Sequence, residues 1–239
     1  MLINADVKGL EIVCAAQYYG DTTLCNELIS KEDIHLNNQK AFSLPSRLIA
    51  KVLKFRTIYG GGAYSFAHDP DFMGVSTSEK YWQGVLDAYF AKYTGIRDGH
   101  IRDIETVKKT GVIEIPSGRF YRYYPEKNYK GERTWPETRI KNYPIQGFGA
   151  DLVKLARLEF YKKLEESGIE ALFIGTVHDS LVVDTPRKNM YNIASMLKES
   201  IEEVPALVRK LWNYDFFLPL TCEVQAGMNK KEMTEIKDI

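Results

Sequence analysis

The sequence predicts an α+β fold, a small antiparallel sheet with a mainly helical insertion. Three observations lead there. Short apolar runs of strand character occur near the start of the chain and again after residue 111, and capped, helix-periodic stretches fill the interval between residues 20 and 110. The third is composition: of 239 residues, 44% are hydrophobic and 12% aromatic, enough for a sizeable core and too much for intrinsic disorder. Lys and Arg number 32 and so do Asp and Glu, which excludes a polybasic tail binder and a strongly acidic solvating chain. No run approaches the ~18 apolar residues of a membrane-spanning helix, and the start Met-Leu-Ile-Asn-Ala-Asp lacks the pattern of a signal peptide. A cytoplasmic location with no membrane partner is expected. Cys14, Cys25 and Cys222 have no metal-ligand spacing and read as reduced thiols. Taken alone, zero net charge argues against nucleic acid as a partner.

The first dozen residues alternate around Asp6 and reach Gly9, which predicts a strand and a turn, followed by a helix through Leu10, Val13, Cys14 and Gln17. Residues 22–30 read as helix. Leu44-Pro45-Ser46 starts another that runs to Tyr59 and stops at Gly60-Gly61-Gly62. Ser76-Thr77-Ser78-Glu79 can cap a helix that carries Tyr81, Trp82, Val85, Leu86, Tyr89 and Phe90. From residue 111 the pattern changes to a β-hairpin, 111–115 and 119–123, turning at Pro116-Ser117-Gly118. Residues 124–137 read as an exposed loop, and a helix is expected from about Phe148 to Leu164. Two apolar strands, 171–177 and 181–183, flank His178-Asp179-Ser180; a helix around 188–203 and a strand from Leu220 to Val224 follow.

The helix from 45 to 59 carries the strongest pattern. Arg47, Lys51, Phe55 and Tyr59 recur every four residues and so share one helix face, in a row about 18 Å long from a cationic to an aromatic end. That length suits a nucleoside triphosphate, with phosphates against the cations and the base near the rings. The spacing fits equally an amphipathic surface helix whose cations are solvated and whose aromatics reach the core. Asp6 and Asp179 occupy strand-associated positions. If the strands are neighbours, the two carboxylates could hold two Mg²⁺ ions about 4 Å apart for phosphoryl transfer, since Mg²⁺ needs few protein ligands; each taken singly also fits a turn cap. His178 fits a general base and His35 a phosphate contact, and both also fit packed or turn positions. Gly60-Gly61-Gly62 is not a phosphate loop, because no Gly-Lys-Ser/Thr follows.

Together these residues resemble the C-terminal polymerase region of family A DNA polymerases, the bacterial polymerase I and phage replicase group. Asp6-Val7-Lys8-Gly9-Leu10-Glu11 looks like motif A; Arg47, Lys51, Phe55 and Tyr59-Gly60 fit motif B; Val177-His178-Asp179 resembles motif C. Between B and C, Asn142-Tyr143-Pro144-Ile145-Gln146-Gly147 with Ala150-Asp151 matches N-x-P-x-Q-G-x-x-A-D. Asp33-Ile34-His35 matches the D-I-H before motif B, and the last strand with Glu223 fits the family's C-terminus.

The resemblance implies a palm in residues 1–19 and 111–239, with fingers in 20–110. It implies Asp6 and Asp179 as ligands of two Mg²⁺ ions, with the main-chain carbonyl of Val7 also available. Arg47, Lys51 and His35 would bind the triphosphate of a dNTP, with Lys51 also protonating the pyrophosphate. Phe55 and Tyr59 would cover the nascent base pair, and Glu11 would occupy the space of a ribose 2′-hydroxyl. Asn142, Gln146, Arg139 and His178 would contact primer–template DNA. Motif C reads His-Asp-Ser rather than the usual His-Asp-Glu, so Ser180 supplies no second carboxylate; Arg139 also sits one residue closer to Gln146 than the family pattern. His-Asp-Ser occurs in single-subunit RNA polymerases, but those carry a small residue where Glu11 stands and commonly methionine where Phe55 stands, which favours DNA synthesis. Met1 lies five residues before Asp6, and this predicts the C-terminal piece of a split phage-type polymerase, assembling with an N-terminal subunit that carries thumb and/or exonuclease. A non-catalytic DNA- or partner-binding module with a polymerase fold is the alternative. On the polymerase reading, acid gathered at the metals offsets cations placed at Arg47, Lys51, Arg119 and Arg139, so zero net charge is no obstacle to DNA.

Overall fold

A computed structural model describes residues 1–128, 130–237 and 239. The chain begins with β1 (Leu2–Val7), α1 (Leu10–Tyr19), α2 (Thr22–Ile29), α3 (Ile34–Ala41), α4 (Arg47–Ile58), α5 (Ala63–Ala67), α6 (Pro70–Met73), α7 (Glu79–Lys92) and α8 (Thr94–Thr110). Next come β2 (Val112–Glu114), β3 (Phe120–Arg122), β4 (Glu126–Lys127), β5 (Arg133–Thr134) and α9 (Glu137–Ser167). It ends with β6 (Leu172–Val177), β7 (Ser180–Asp184), α10 (Met190–Glu202), α11 (Val204–Trp212), β8 (Cys222–Gly227) and β9 (Thr234–Glu235). This is the α+β class read from the sequence. The chain divides into two compact units, Met1–Glu11 with Gly147–Ile239, and Ile12–Gln146.

The first unit is built on a five-stranded antiparallel sheet in the order β6-β7-β1-β8-β9. β1 lies at its centre, and its alternation sorts the faces: Ile3, Ala5 and Val7 are buried while Asp6 is exposed. α10 packs on β1 and β8 and buries Ile193, Ala194, Leu197 and Ile201. Phe148 of α9 anchors a second cluster, its ring centroid 6.3 Å from Trp212 and 5.8 Å from both Tyr214 and Phe216.

The second unit is mainly helical. Asp21 caps α2 by accepting from the Leu24 amide at 2.9 Å, and its other oxygen accepts from the Ile96 amide at 3.1 Å, so one buried carboxylate ties two helices together. Gly99 permits the close approach of α8 to α1: a Cβ there would lie 2.0 Å from Tyr19 Cδ1. Phe66, Phe72 and Trp82 are fully buried, with centroids 5.0–5.5 Å apart. Ser46 and Ser78 cap α4 and α7 through their hydroxyls.

Four expectations are corrected. The helix expected from about Phe148 begins at Glu137 and runs 31 residues, with Pro144 inside it. Proline costs an interior helix about 3 kcal/mol, which burial of Ile140, Ile145 and Phe148 around it offsets. The loop expected over 124–137 contains the β4–β5 hairpin, in whose turn Asn128 Oδ1 accepts from the amides of Lys130 and Glu132. The last strand lies at Cys222–Gly227 rather than 220–224, and α11 follows α10 after Glu203, with Pro205 in its first turn. Ser180, read as part of the interruption between two strands, is the first residue of β7.

Candidate active site

Two groups of chemically capable side chains form, one in each unit. In the first unit, β6 and β7 turn tightly: Val177 pairs with Ser180, leaving His178 and Asp179 as the two turn residues. His178 takes φ +55°, a conformation usually left to glycine at this point of a hairpin. The turn is closed by Ser180 Oγ donating to the Val177 carbonyl at 2.9 Å. Its tip is fastened to β1, because the Val7 amide donates to the Asp179 carbonyl at 3.2 Å. The carboxyls of Asp6 and Asp179 thereby come within hydrogen-bonding reach of each other. Asp6 is held above the usual carboxylate range, first by loss of surrounding water and then by the negative charge of Asp179, with a smaller contribution from Glu223.

In the antiparallel register Asp6 stands opposite Ser180 on one side and Glu223 on the other, so all three side chains emerge on the same face of the sheet. Glu223 Oε1 accepts from Gln225 Nε2 at 2.7 Å, and its other oxygen lies 3.9 Å from Lys8 Nζ. Sequence reading left Glu223 outside the site; its alternation within β8 pointed to a face, but not to Asp6 as its neighbour. Ser180, by contrast, spends its hydroxyl on closing the turn. Among the described residues, no group of three or more His, Cys, Asp or Glu is assembled to hold a metal. The adjacent Asp6 and Asp179 carboxylates nonetheless fit a hard divalent cation, which relieves their mutual repulsion and takes its remaining ligands from water or phosphate. Val7 ends β1 beside them, and Glu11 lies half-buried in the first turn of α1.

In the second unit, α4 turns Ala50, Leu53, Lys54, Thr57 and Ile58 inward. Arg47 and Lys51 are exposed, and Phe55 and Tyr59 are half-buried. The row is therefore open to solvent at its cationic end and only partly so at its aromatic end, where the Tyr59 hydroxyl is buried. Arg47 Nε donates to both oxygens of Asp33, which also caps α3. His35, in the first turn of α3, has its ring 6.3 Å from that of Phe55. Its Nδ1 is buried without a hydrogen-bond partner among the described residues. Burial, together with the cations Lys54, Arg47 and Lys51, pushes the imidazole down to about 4, so it is neutral near pH 7.

Lys54 was not singled out from the sequence. It is fully buried on the inner face of α4, and its ammonium nitrogen has no hydrogen-bond partner among the described residues. Asn142 and Gln146 lie one turn apart on α9; Gln146 is exposed, and Asn142 Oδ1 is buried without a partner. Arg139, on the same helix, is ion-paired with Glu126 of β4. The structure thus assembles Asp6 with Asp179 in one unit and His35 with Arg47, Lys51 and Phe55 in the other.

The pattern of DNA polymerase family A matches residues 1–232. The thermostable DNA polymerase I of Thermus aquaticus is 28% identical over 237 residues, covering 95% of this chain and 26% of its own length. DNA polymerase I of Mycobacterium tuberculosis (strain ATCC 25618 / H37Rv) is 30% identical over 239 residues, covering 96% and 25%. Among solved structures, the POL domain of Pol1 from M. smegmatis, in complex with DNA primer-template and dNTP, is similar with a TM-score of 0.72 at 21% identity, over 95% of this chain and 39% of that one. This chain spans about a quarter of the length of the two relatives.

Proposed function

The chain belongs to DNA polymerase family A, and on that premise we propose that it carries out template-directed DNA synthesis, adding dNTPs to a primer 3′-hydroxyl. The observation that carries the reading is the carboxylate pair: β1 and the β6–β7 turn bring Asp6 and Asp179 side by side on an accessible face. In this reading the pair, with the Val7 carbonyl, holds two Mg²⁺ ions. Bound there, the ions supply activation of the primer hydroxyl and charge stabilisation of the triphosphate.

The remaining roles belong to the chain's own groups. Arg47 and Lys51 present exposed cations to the triphosphate, and the Lys51 ammonium gives a proton to the leaving pyrophosphate. His35, neutral and with an unsatisfied ring nitrogen, is available to a phosphate oxygen. Phe55 and Tyr59 cover the base pair, and Glu11 excludes a 2′-hydroxyl. Asn142, Gln146, Arg139 and His178 take the primer–template; for Asn142 the support is its buried, unsatisfied oxygen. Residues 1–19 and 111–239 then serve as palm and 20–110 as fingers, in a cytoplasmic enzyme. The thumb, and any exonuclease, come in this reading from an N-terminal polymerase segment.

The test is extension of a primed template with Mg²⁺, by this chain alone and mixed with such a segment as a separate polypeptide. Mg²⁺-dependent addition of complementary dNTPs is expected, and addition that needs the mixture supports the split, phage-type arrangement. Tight primer–template binding with no addition in either case overturns the reading in favour of a DNA-holding module.

A further inference from the structure

We propose that Phe120, Arg122 and Tyr124, on the outward face of the β2–β3 hairpin, form a stacking platform for single-stranded nucleic acid. The identity of that strand as the unpaired template rests on the function proposed above; the platform itself does not.

The hairpin sorts its side chains by alternation. Tyr121 and Tyr123 turn inward, 5.9 and 6.3 Å from the ring of Tyr143, and Ile113, opposite Tyr121, is buried. Phe120 and Tyr124 are 56% and 70% exposed. Between them Arg122 lays its guanidinium over Phe120, 5.3 Å from the ring centroid. Scattered exposed apolar residues are ordinary, but an aromatic, a cation and an aromatic at successive outward positions are not scattered. At about 3.3 Å per residue the two rings stand roughly 13 Å apart, a span that admits more than one base.

Charge names the occupant. Between residues 119 and 139 six Lys and Arg face three Glu, in a chain whose overall charge is zero. Glu126 is ion-paired with Arg139, and Glu132 accepts from Asn128 Nδ2. Glu114, opposite Phe120, lies at the turn end of the hairpin, away from Tyr124. Flat, exposed rings beside cations take unstacked bases, whose faces duplex DNA hides.

The experiment measures binding of fluorescent oligo-dT to the 239-residue chain by anisotropy at fixed salt, with an abasic strand of the same length as control. The double variant Phe120→Ala/Tyr124→Ala should bind oligo-dT about tenfold or more weakly, with the abasic strand changed less than about twofold and thermal unfolding unaltered. Phe120→Leu/Tyr124→Leu, which keeps apolar bulk without rings, should show the same selective loss. Unchanged oligo-dT affinity, or equal losses on both strands, overturns the proposal, the latter because charge alone would account for binding. Platform variants that bind normally in a chain that extends primers would sink the platform and leave the polymerase reading. Selective loss in a chain that never extends primers would do the reverse.

Discussion

Arg47 Nε lies 2.8 and 3.1 Å from the two carboxylate oxygens of Asp33. The guanidinium holds that carboxyl below its usual range, and the carboxylate occupies the cation assigned to a triphosphate. Asp33→Asn keeps the cap on α3, because an asparagine oxygen can still accept from the Leu36 amide, and removes the competing charge. The apparent KM for dNTP should fall about two- to fivefold at low salt, since an exposed pair of this kind is weak. Steady-state extension kinetics check it, and a raised KM would show that Asp33 positions Arg47 instead.

Asp179→Asn keeps the turn, whose closure uses the Ser180 hydroxyl and main-chain groups. If the pair holds the metals as proposed, loss of one carboxylate should reduce extension by about a thousandfold while primer–template affinity stays within about twofold. Full retention of activity would remove Asp179 from the metal site.

Glu11→Ala opens space in the first turn of α1. Ribonucleotide incorporation relative to deoxyribonucleotide should rise about tenfold or more, read from single-nucleotide insertion rates. Unchanged sugar discrimination would place the gate elsewhere.

Lys54 is buried among Glu27, Asp21, Lys92 and His35, and burial pushes its ammonium down to about 7. Between pH 7 and 10.5 the unfolded chain binds a proton that the folded chain does not. Stability from this group is therefore full above 10.5, lost as pH falls to 7, and flat below. Lys54→Met should raise the unfolding free energy at pH 7 by about 1–3 kcal/mol. It should also reduce the pH dependence between 7 and 9, as measured by urea denaturation of both proteins. A destabilised variant would mean that the ammonium is satisfied in solution.

Local signals were legible where neighbouring residues alone decide the outcome. The Ser46 cap and the four-residue row gave α4, though the row left open whether its aromatic end lay on the surface or in the core, and alternation around Asp6 gave β1. The register that sets Glu223 opposite Asp6 was not legible, because alternation assigns a residue to a face and says nothing of which distant strand lies beside it. Pro144 hid the start of α9 for a similar reason: local chemistry disfavours helix there, and burial of Ile140 and Ile145 overrides it. The burial of Lys54 is likewise a property of the packed unit, since a lysine in an amphipathic helix reads as solvent-facing. Candidate site residues were found largely through family resemblance, and their grouping in space came from the fold.

The central position of β1 also governs when the acidic site can exist. Asp6 meets partners at Ser180 and Glu223, 174 and 217 residues later in the chain, so its strand is synthesised long before either neighbour and is paired among the last. Contacts of such separation form slowly, after the loops between them have closed. A nascent or truncated chain that stops before β7 leaves β1 without either neighbour, a bare edge open to pairing with another molecule. The carboxylate pair is thus a late product of folding, and a chain cut short before residue 180 lacks it altogether.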